Sequence, residues 1–385
     1  MKGGLLPVPE ESWRRGCGWP ACLEIKIPSN WPSGFYYAEF QTLKGTEHLH
    51  FIVRPRQDKT PNPILYVIGD LTYQAYNSWG GKSIYNFNST EGQASTHISY
   101  NRPYSPRDAL DGRWDSNMIP WLEREEYKVD FCSQSDLIRH PEIMGRYKVQ
   151  IRNGHDEYWT RLEYERVEAW LNQGGRLASF SGNTCCTQVR LEDNLRTLVC
   201  YRKADKDPAA AKDKLEATCC FRDLGRSENK ILGAGFHYAG YVGSHGHYPL
   251  WQGNGGYEVQ RPDHWVFAGT GFKKGNRFGT SKSIVGYETD GCLTRLEGGF
   301  LVPTGEDGTP PDFTILATAP AATGDEGIPT NQNGLATMGL RQISSGGMVF
   351  NAATTDWCHG LYPEAPWNDA FVPIITKNVL NRMLS

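Results

Sequence analysis

The sequence predicts an α/β fold: a parallel sheet with helices on both faces, preceded by a small module of β-strands. Three observations predict it. Short apolar runs at residues 63–68, 127–132 and 147–152 have the character of strands buried on both faces. An amphipathic stretch at 162–171 follows the third run, and another apolar run at 176–181 follows that, which is the order of a βαβ unit. Alternating runs at 21–27, 34–40 and 48–53 stand ahead of a polar, Pro-rich linker at 54–63, as a separate strand module would.

The elements follow from local chemistry. Three strands alone are marginal, so the runs between 21 and 54 resemble the tail of a β-sandwich and need a further surface to pack on. After the linker, the run 63–68 predicts a central strand. In 162–171, Tyr164, Val167, Trp170 and Leu171 share one helical face, and Gly174–Gly175 stop the helix. Thr160 with Glu163 fits a capping box at its start. Residues 348–352 predict a late strand, and 374–383 a closing helix. The charged, Ala-rich stretch 204–215 reads as an exposed insertion, and 233–256 as loop. The boundaries are a strand module over 1–58 and an α/β domain over 59–385.

Composition narrows the function. With 40 Lys+Arg against 43 Asp+Glu, no excess of positive charge points to nucleic acid or an anionic membrane. No apolar run approaches the ~18 residues of a membrane-spanning helix. Residues 1–10 lack the apolar region of a secretory leader. The ten cysteines include two adjacent pairs and no C-x-x-C, which fits a reduced, cytoplasmic protein.

Ligands in open α/β sheets bind beyond the carboxyl ends of the strands. Residues 153–157, Asn-Gly-His-Asp-Glu, lie at such an end, and Ser181-Gly-Asn-Thr184 lies at another one βα unit later. If extended backbone persists, His155 and Glu157 face one side and Asp156 the other. A His and a Glu facing Asn183 make a ligand set or an acid–base set. Residues 71–85 follow the strand ending at Ile68 and lie at the same edge. Gly80-Gly81-Lys82-Ser83 is no phosphate loop, because that motif needs glycine where Tyr76 stands. No cysteine or serine sits on a nucleophile elbow, and Cys185 reads as a buried apolar residue. His237, His245 and His247 match no metal-ligand spacing.

Several segments carry a resemblance: 71–85 (A-Y-N-S-W-G-G-K-S-I-Y at its end), G-H-D-E-Y-W at 154–159, F-S-G-N-T at 180–184, V-G-Y-E-T-D-G at 285–291 and V-F-N-A-A-T-T-D-W at 349–357. In order, from about residue 21 onward, they resemble the large subunit of N,N-dimethylformamidase and its relatives. The resemblance implies the end of an immunoglobulin-like module, then a glutamine-amidotransferase-like (flavodoxin-like) α/β domain. It implies a mononuclear Fe(III) held by two tyrosines and a glutamate, here Tyr76, Glu157 and Tyr36, with Tyr37 as the neighbouring alternative. It implies hydrolysis of a small amide's C–N bond by metal-bound hydroxide. His155 and Lys203 take the places of the family's site residues, Asn183 is the candidate hydrogen-bond partner of the amide oxygen or the water, and Glu288 is the candidate general base. Family large subunits carry a long N-terminal region not seen here and work with a small subunit, so a small subunit or a homo-oligomer is the expected partner. Two other functions remain open on the residues: a carbohydrate- or protein-binding domain of the same fold, and a hydrolase using another metal such as zinc.

Overall fold

The computed structural model describes residues 6–42, 45–105, 114–242, 256–325, 328–362 and 369–385. A short helix, α1 (Ser12–Arg15), precedes an antiparallel hairpin of β1 (Gly34–Thr42) and β2 (Gly45–Val53). There follow β3 (Ile64–Ile68), α2 (Asp70–Tyr76), β4 (His97–Ser99), α3 (Asp115–Arg124), β5 (Val129–Ser133), α4 (Gln134–Arg139), β6 (Val149–His155), β7 (Tyr158–Thr160), α5 (Arg161–Leu171) and β8 (Arg176–Gly182). The chain continues through β9 (Thr187–Glu192), β10 (Thr197–Val199), α6 (Asn229–Leu232), β11 (Gly235–Val242), β12 (Tyr257–Val259), β13 (Arg277–Phe278) and β14 (Tyr287–Gly291). It closes with β15 (Thr294–Glu297), β16 (Phe300–Pro303), β17 (Phe313–Asp325), β18 (Ile328–Gln342), β19 (Met348–Asn351) and α7 (Val372–Leu384).

Among the described residues eleven strands form one sheet in the order β13-β12-β17-β11-β14-β18-β19-β8-β6-β3-β5. The four pairings from β19 to β5 are parallel. The six from β13 to β19 are antiparallel. The expected flavodoxin-like parallel sheet flanked by helices is therefore corrected. The protein is built mostly of sheets, mixed and antiparallel, with few helices. The correction has a physical source. Residues 235–342 are rich in Gly, Thr, Ala and Pro and carry no apolar run of the kind that marks a buried parallel strand. Their pairing comes instead from backbone hydrogen bonds along the long hairpin β17–β18, which also encloses β11 and β14. Of the segment 233–256 expected as loop, Gly235–Val242 is strand, and 243–255, with His245 and His247, lie outside the described residues.

The parallel strands are buried on both faces. Ile64, Tyr66 and Ile68 join a core with α3 and α7, while Leu65 and Val67 face another core with α4 and α5. That two-sided burial is why β3 is a continuous apolar run. Tyr164, Val167, Trp170 and Leu171 of α5 are all buried, as their shared face requires. Gly175 lies under the Trp170 indole, where an added Cβ would meet ring carbon Cδ2 at 2.3 Å.

At the start of α5, the Thr160 hydroxyl accepts from the Glu163 amide at 3.2 Å. The Glu163 carboxylate does not complete the capping box. It accepts instead from Arg152 at 2.9 Å and from Gln134. Thr160→Ala is expected to cost about 1 kcal/mol, read from the urea midpoint, since one helical N–H loses its acceptor.

The N-terminal module differs from the expected three strands. Residues 21–27 form no strand and are exposed, so β1 and β2 stand as a two-stranded hairpin. Ser33, just ahead of β1, ties it to the edge strand β5. The Phe131 amide donates to Ser33 Oγ at 2.7 Å, and that hydroxyl donates to the Phe131 carbonyl at 3.3 Å.

Candidate metal centre

β6 carries its ionisable end into the interior through Gly154. That residue has φ +70°, and an added Cβ would lie 2.5 Å from Trp114 Cβ, so only glycine fits. His155, Asp156 and Glu157 are each 4% exposed or less. Asp156 turns away from the other two. Its Oδ2 lies 3.2 Å from Nη1 of Arg152, whose Nη2 reaches Glu163 Oε1 at 2.9 Å and whose guanidinium lies over Trp159 at 4.6 Å. Asp156 is thus half of a buried structural ion pair.

Glu157 faces a cluster of phenols. Tyr76, at the end of α2, donates to Glu157 Oε2 at 3.0 Å. Tyr85, in the loop that follows, lies 2.8 Å from the Tyr76 hydroxyl and 3.1 Å from each Glu157 oxygen. The Tyr85 hydroxyl also bonds the Tyr158 hydroxyl. Burial first, and the Glu157 charge second, push the phenols of Tyr76 and Tyr85 well above their ordinary range. The Arg202 guanidinium lies 4.5 Å over the Tyr85 ring and draws both Tyr85 and Glu157 toward their anionic forms. Burial opposes the Glu157 charge, but the hydrogen bond and charge of His155, with Arg202, hold its carboxyl below the ordinary value.

A second ring of polar groups adjoins the first. His155 Nε2 lies 3.3 Å from Glu157 Oε2 and 2.7 Å from Glu288 Oε2, and the Tyr287 hydroxyl is 3.3 Å from Nδ1. Burial disfavours the imidazolium, yet the two carboxylates outweigh it and raise His155 to about 10. Asn183 Nδ2 donates to Glu288 Oε2 at 3.1 Å, and its own backbone is left-handed at φ +50°. Gly182 makes this junction: an added Cβ would sit 2.5 Å from both the Glu288 carbonyl and the Thr355 nitrogen. Backbone atoms on both sides cannot yield. Gly182→Ala is expected to displace β14 and lower stability by about 1–3 kcal/mol in urea unfolding.

The structure therefore brings together Tyr76, Glu157, His155, Asn183 and Glu288. It does not bring Tyr36 or Lys203 to them. The Tyr36 hydroxyl donates to the Pro32 carbonyl at 3.1 Å and its ring stacks on Trp31 and Phe51, in the hairpin beside β5. Tyr37 is exposed in the same strand. Tyr85 is the second phenol at the cluster, and the signal for it was present: it closes the segment 71–85, nine residues after Tyr76. Lys203 is exposed, and its neighbour Arg202, whose φ of +61° turns the chain there, lines the cavity in its place, as does Arg222. Tyr158 and Tyr287 were also missed, since aromatics beside a strand read as packing.

Tyr76, Tyr85, Glu157, Asn183, Arg202 and Glu288 line a cavity of about 110 Å³. The donor chemistry fits a hard cation. Three oxygens lie within 3.1 Å of one another, and a cation held among them would favour the ionised phenols that burial and the Glu157 charge oppose. Another set overlaps it: ligand atoms of His155, Glu157 and Glu288 all lie within 4.8 Å of one another.

A mixed sheet gathers buried phenol, carboxylate and imidazole groups at the carboxyl ends of its parallel strands, a set of side chains that could hold a metal ion. Residues 6–369 match the family described as N,N-dimethylformamidase beta subunit-like, C-terminal, and the chain belongs to that family. It is 23% identical to the N,N-dimethylformamidase beta subunit of Alcaligenes sp and 22% identical to that of Paracoccus aminophilus, over 96% of this chain in each case. The chain spans about half the length of these relatives, 54% of each. Among the described residues no helix is long and apolar enough to cross a membrane, and all ten cysteines are free thiols.

Proposed function

We propose that this chain is an iron-dependent amidohydrolase that cleaves the C–N bond of a small amide, related in activity to N,N-dimethylformamidase. The observation that carries the reading is the convergence of the Tyr76, Tyr85 and Glu157 oxygens in one buried cavity. These three residues would hold Fe(III). Bound there, the ion would supply Lewis acidity, polarising a carbonyl oxygen and lowering the pKa of water.

The protein's own groups do the rest. Water adds its oxygen to the carbonyl carbon, the C–N bond breaks, and the water's proton ends on nitrogen, giving a carboxylic acid and an amine. Glu288 receives the proton from water, oriented by Asn183 Nδ2 at 3.1 Å. His155, held protonated between Glu157 and Glu288, delivers a proton from Nε2 to the departing nitrogen. Arg202 favours the anionic forms of Glu157 and Tyr85 against burial. The relatives are named as beta subunits, and we propose that this chain likewise works with another chain, a small subunit or further copies of itself.

Visible absorbance with an amine-release assay on a panel of small amides tests the reading. A ferric phenolate colour with amine released supports it, and a protein that takes up no iron and releases no amine ends it. A second reading follows from the overlapping set of His155, Glu157 and Glu288. It holds another metal such as zinc without the phenols, and its loaded protein would be colourless. Tyr85→Phe separates the two: metal content is expected to fall at least tenfold if the phenols bind the ion, and to stay unchanged if they do not. Tyr36→Phe is the control expected to retain the metal.

A further inference from the structure

We infer that Cys186 and Cys220 are a redox-sensitive pair in the wall of the cavity: hydrogen peroxide joins them in a disulfide that ties the Asn183 loop to the segment 219–224 and lowers turnover, and a dithiol reductant releases them. The linkage stands apart from the amidohydrolase reading, and only its effect on turnover rests on that reading. Both cysteines line the cavity with Tyr76, Glu157 and Asn183. Of the ten cysteines, seven are buried and Cys22 is exposed, while Cys186 and Cys220 are the two of intermediate exposure. Their thiols hydrogen-bond one another. The backbone holds them there: Thr187 bridges Cys220 in antiparallel register, and the Phe221 amide donates to the Cys186 carbonyl at 2.9 Å. Their chain neighbours are buried in two other clusters, Cys185 with Phe221 and Ile231, and Cys219 with Ala217 and Leu224.

Two thiols in contact beside a cavity are open to chemistry that a single buried thiol is not. The Cys186 hydrogen bond first, and the Arg222 charge after it, hold the Cys220 thiol below its ordinary value against burial, so Cys220 is the attacking sulfur. Its thiolate takes one oxygen from hydrogen peroxide: an S–O bond forms, the O–O bond breaks, and the hydroxide released recovers the thiol's proton as water. Cys186 then attacks the sulfenic sulfur. The S–S bond forms, the S–O bond breaks, and the leaving hydroxide carries off the Cys186 proton as a second water. Two thiols and one peroxide thus give one disulfide and two waters. A disulfide holds its sulfurs about 2.05 Å apart, well inside hydrogen-bond distance, so the loop must move to form it. Asn183 stands three residues before Cys186 and donates to Glu288 Oε2 at 3.1 Å. Drawing Cys186 toward Cys220 displaces that amide from the carboxylate.

The full chain, before iron loading, is treated with hydrogen peroxide, quenched with catalase, unfolded, alkylated and mapped by peptide mass spectrometry. A Cys186–Cys220 cross-link that dithiothreitol reverses, formed while the seven buried cysteines still alkylate, supports the inference. The exposed Cys22 is the internal gauge: its complete oxidation with Cys186 and Cys220 still unlinked overturns the inference. In Cys186→Ser the partner thiol is gone, so Cys220 is expected to halt at the sulfenic acid and take up dimedone, and a Cys220 that takes up none is not the attacking sulfur. After iron loading, amine release from N,N-dimethylformamide is compared at equal iron content. It is expected to fall on the order of tenfold in the cross-linked chain and to return with dithiothreitol, as a small displacement at a site does. Equal release from cross-linked and reduced chains overturns the switch. If no amide is hydrolysed by the reduced chain, the amidohydrolase reading fails, and the peptide map alone decides the linkage.

Discussion

Glu157→Gln is expected to abolish metal retention and with it amine release. The carboxylate lies within hydrogen-bond distance of both phenols and pairs with His155 at 3.3 Å, so it is the charge around which the cluster is built. Gln keeps the volume but removes the charge that an Fe(III) ion would neutralise. Changes to residues that merely support a ligand already cost 10–100-fold in affinity, so losing a ligand is expected to cost on the order of a hundredfold or more. Tyr76→Phe should behave alike, since it deletes one donor oxygen without leaving a large void. Metal content after exhaustive desalting, read beside the visible spectrum, measures both. Stoichiometric iron in either variant would show that the ligands lie elsewhere.

The second large effect is on stability. Arg152→Met is expected to cost about 3–5 kcal/mol, because it strands Asp156 and Glu163 as buried carboxylates without their cation. All three side chains are almost wholly inaccessible, so solvent screening does not soften the loss. The effect carries a pH signature. Burial raises the Glu163 carboxyl, with Arg152 opposing. A raised folded value means that the folded protein holds the proton more tightly than the unfolded chain. Its stabilising contribution is therefore complete below the ordinary carboxylate range and lost as pH rises through the folded value. Without Arg152 that value climbs further. The deficit of Arg152→Met is expected to be larger at pH 8 than at pH 5 in urea unfolding, and equal deficits would remove Glu163 from the explanation.

Much of the parallel half of the sheet is legible in the sequence because burial on both faces writes itself as apolar runs. Ile64–Ile68 and Val149–Ile151 are examples, and the α5 face of Tyr164, Val167, Trp170 and Leu171 is as plain. The antiparallel half is not. β17 and β18 contain Thr-Ala-Pro-Ala and Ala-Thr-Met-Gly, which satisfy a ladder through the backbone and leave little hydrophobic pattern. Glu157 and Tyr76 stand out because they end buried elements, Glu157 just past β6 and Tyr76 at the close of α2. Tyr85 does not, since it follows a glycine-containing loop whose path is set by hydrogen bonds such as Ser83 to Asn88 and Ser89 to the Tyr85 carbonyl. Arg202 is hidden by its left-handed backbone, which swaps the faces that neighbouring residues present.

The cluster joins parts of the chain that are remote along it: Tyr76 and Glu157 are 81 positions apart, and Asn183 and Glu288 are 105. Closing loops of that length is among the slower events in folding, and because Glu288 comes from antiparallel β14 while Tyr76 and Glu157 follow parallel strands, the full cluster assembles only when both halves of the sheet have docked. An ion captured there acts as a latch on the finished structure and not as a seed for it. It should slow unfolding strongly, by as much as its occupancy allows, while leaving the rate of refolding nearly unaltered.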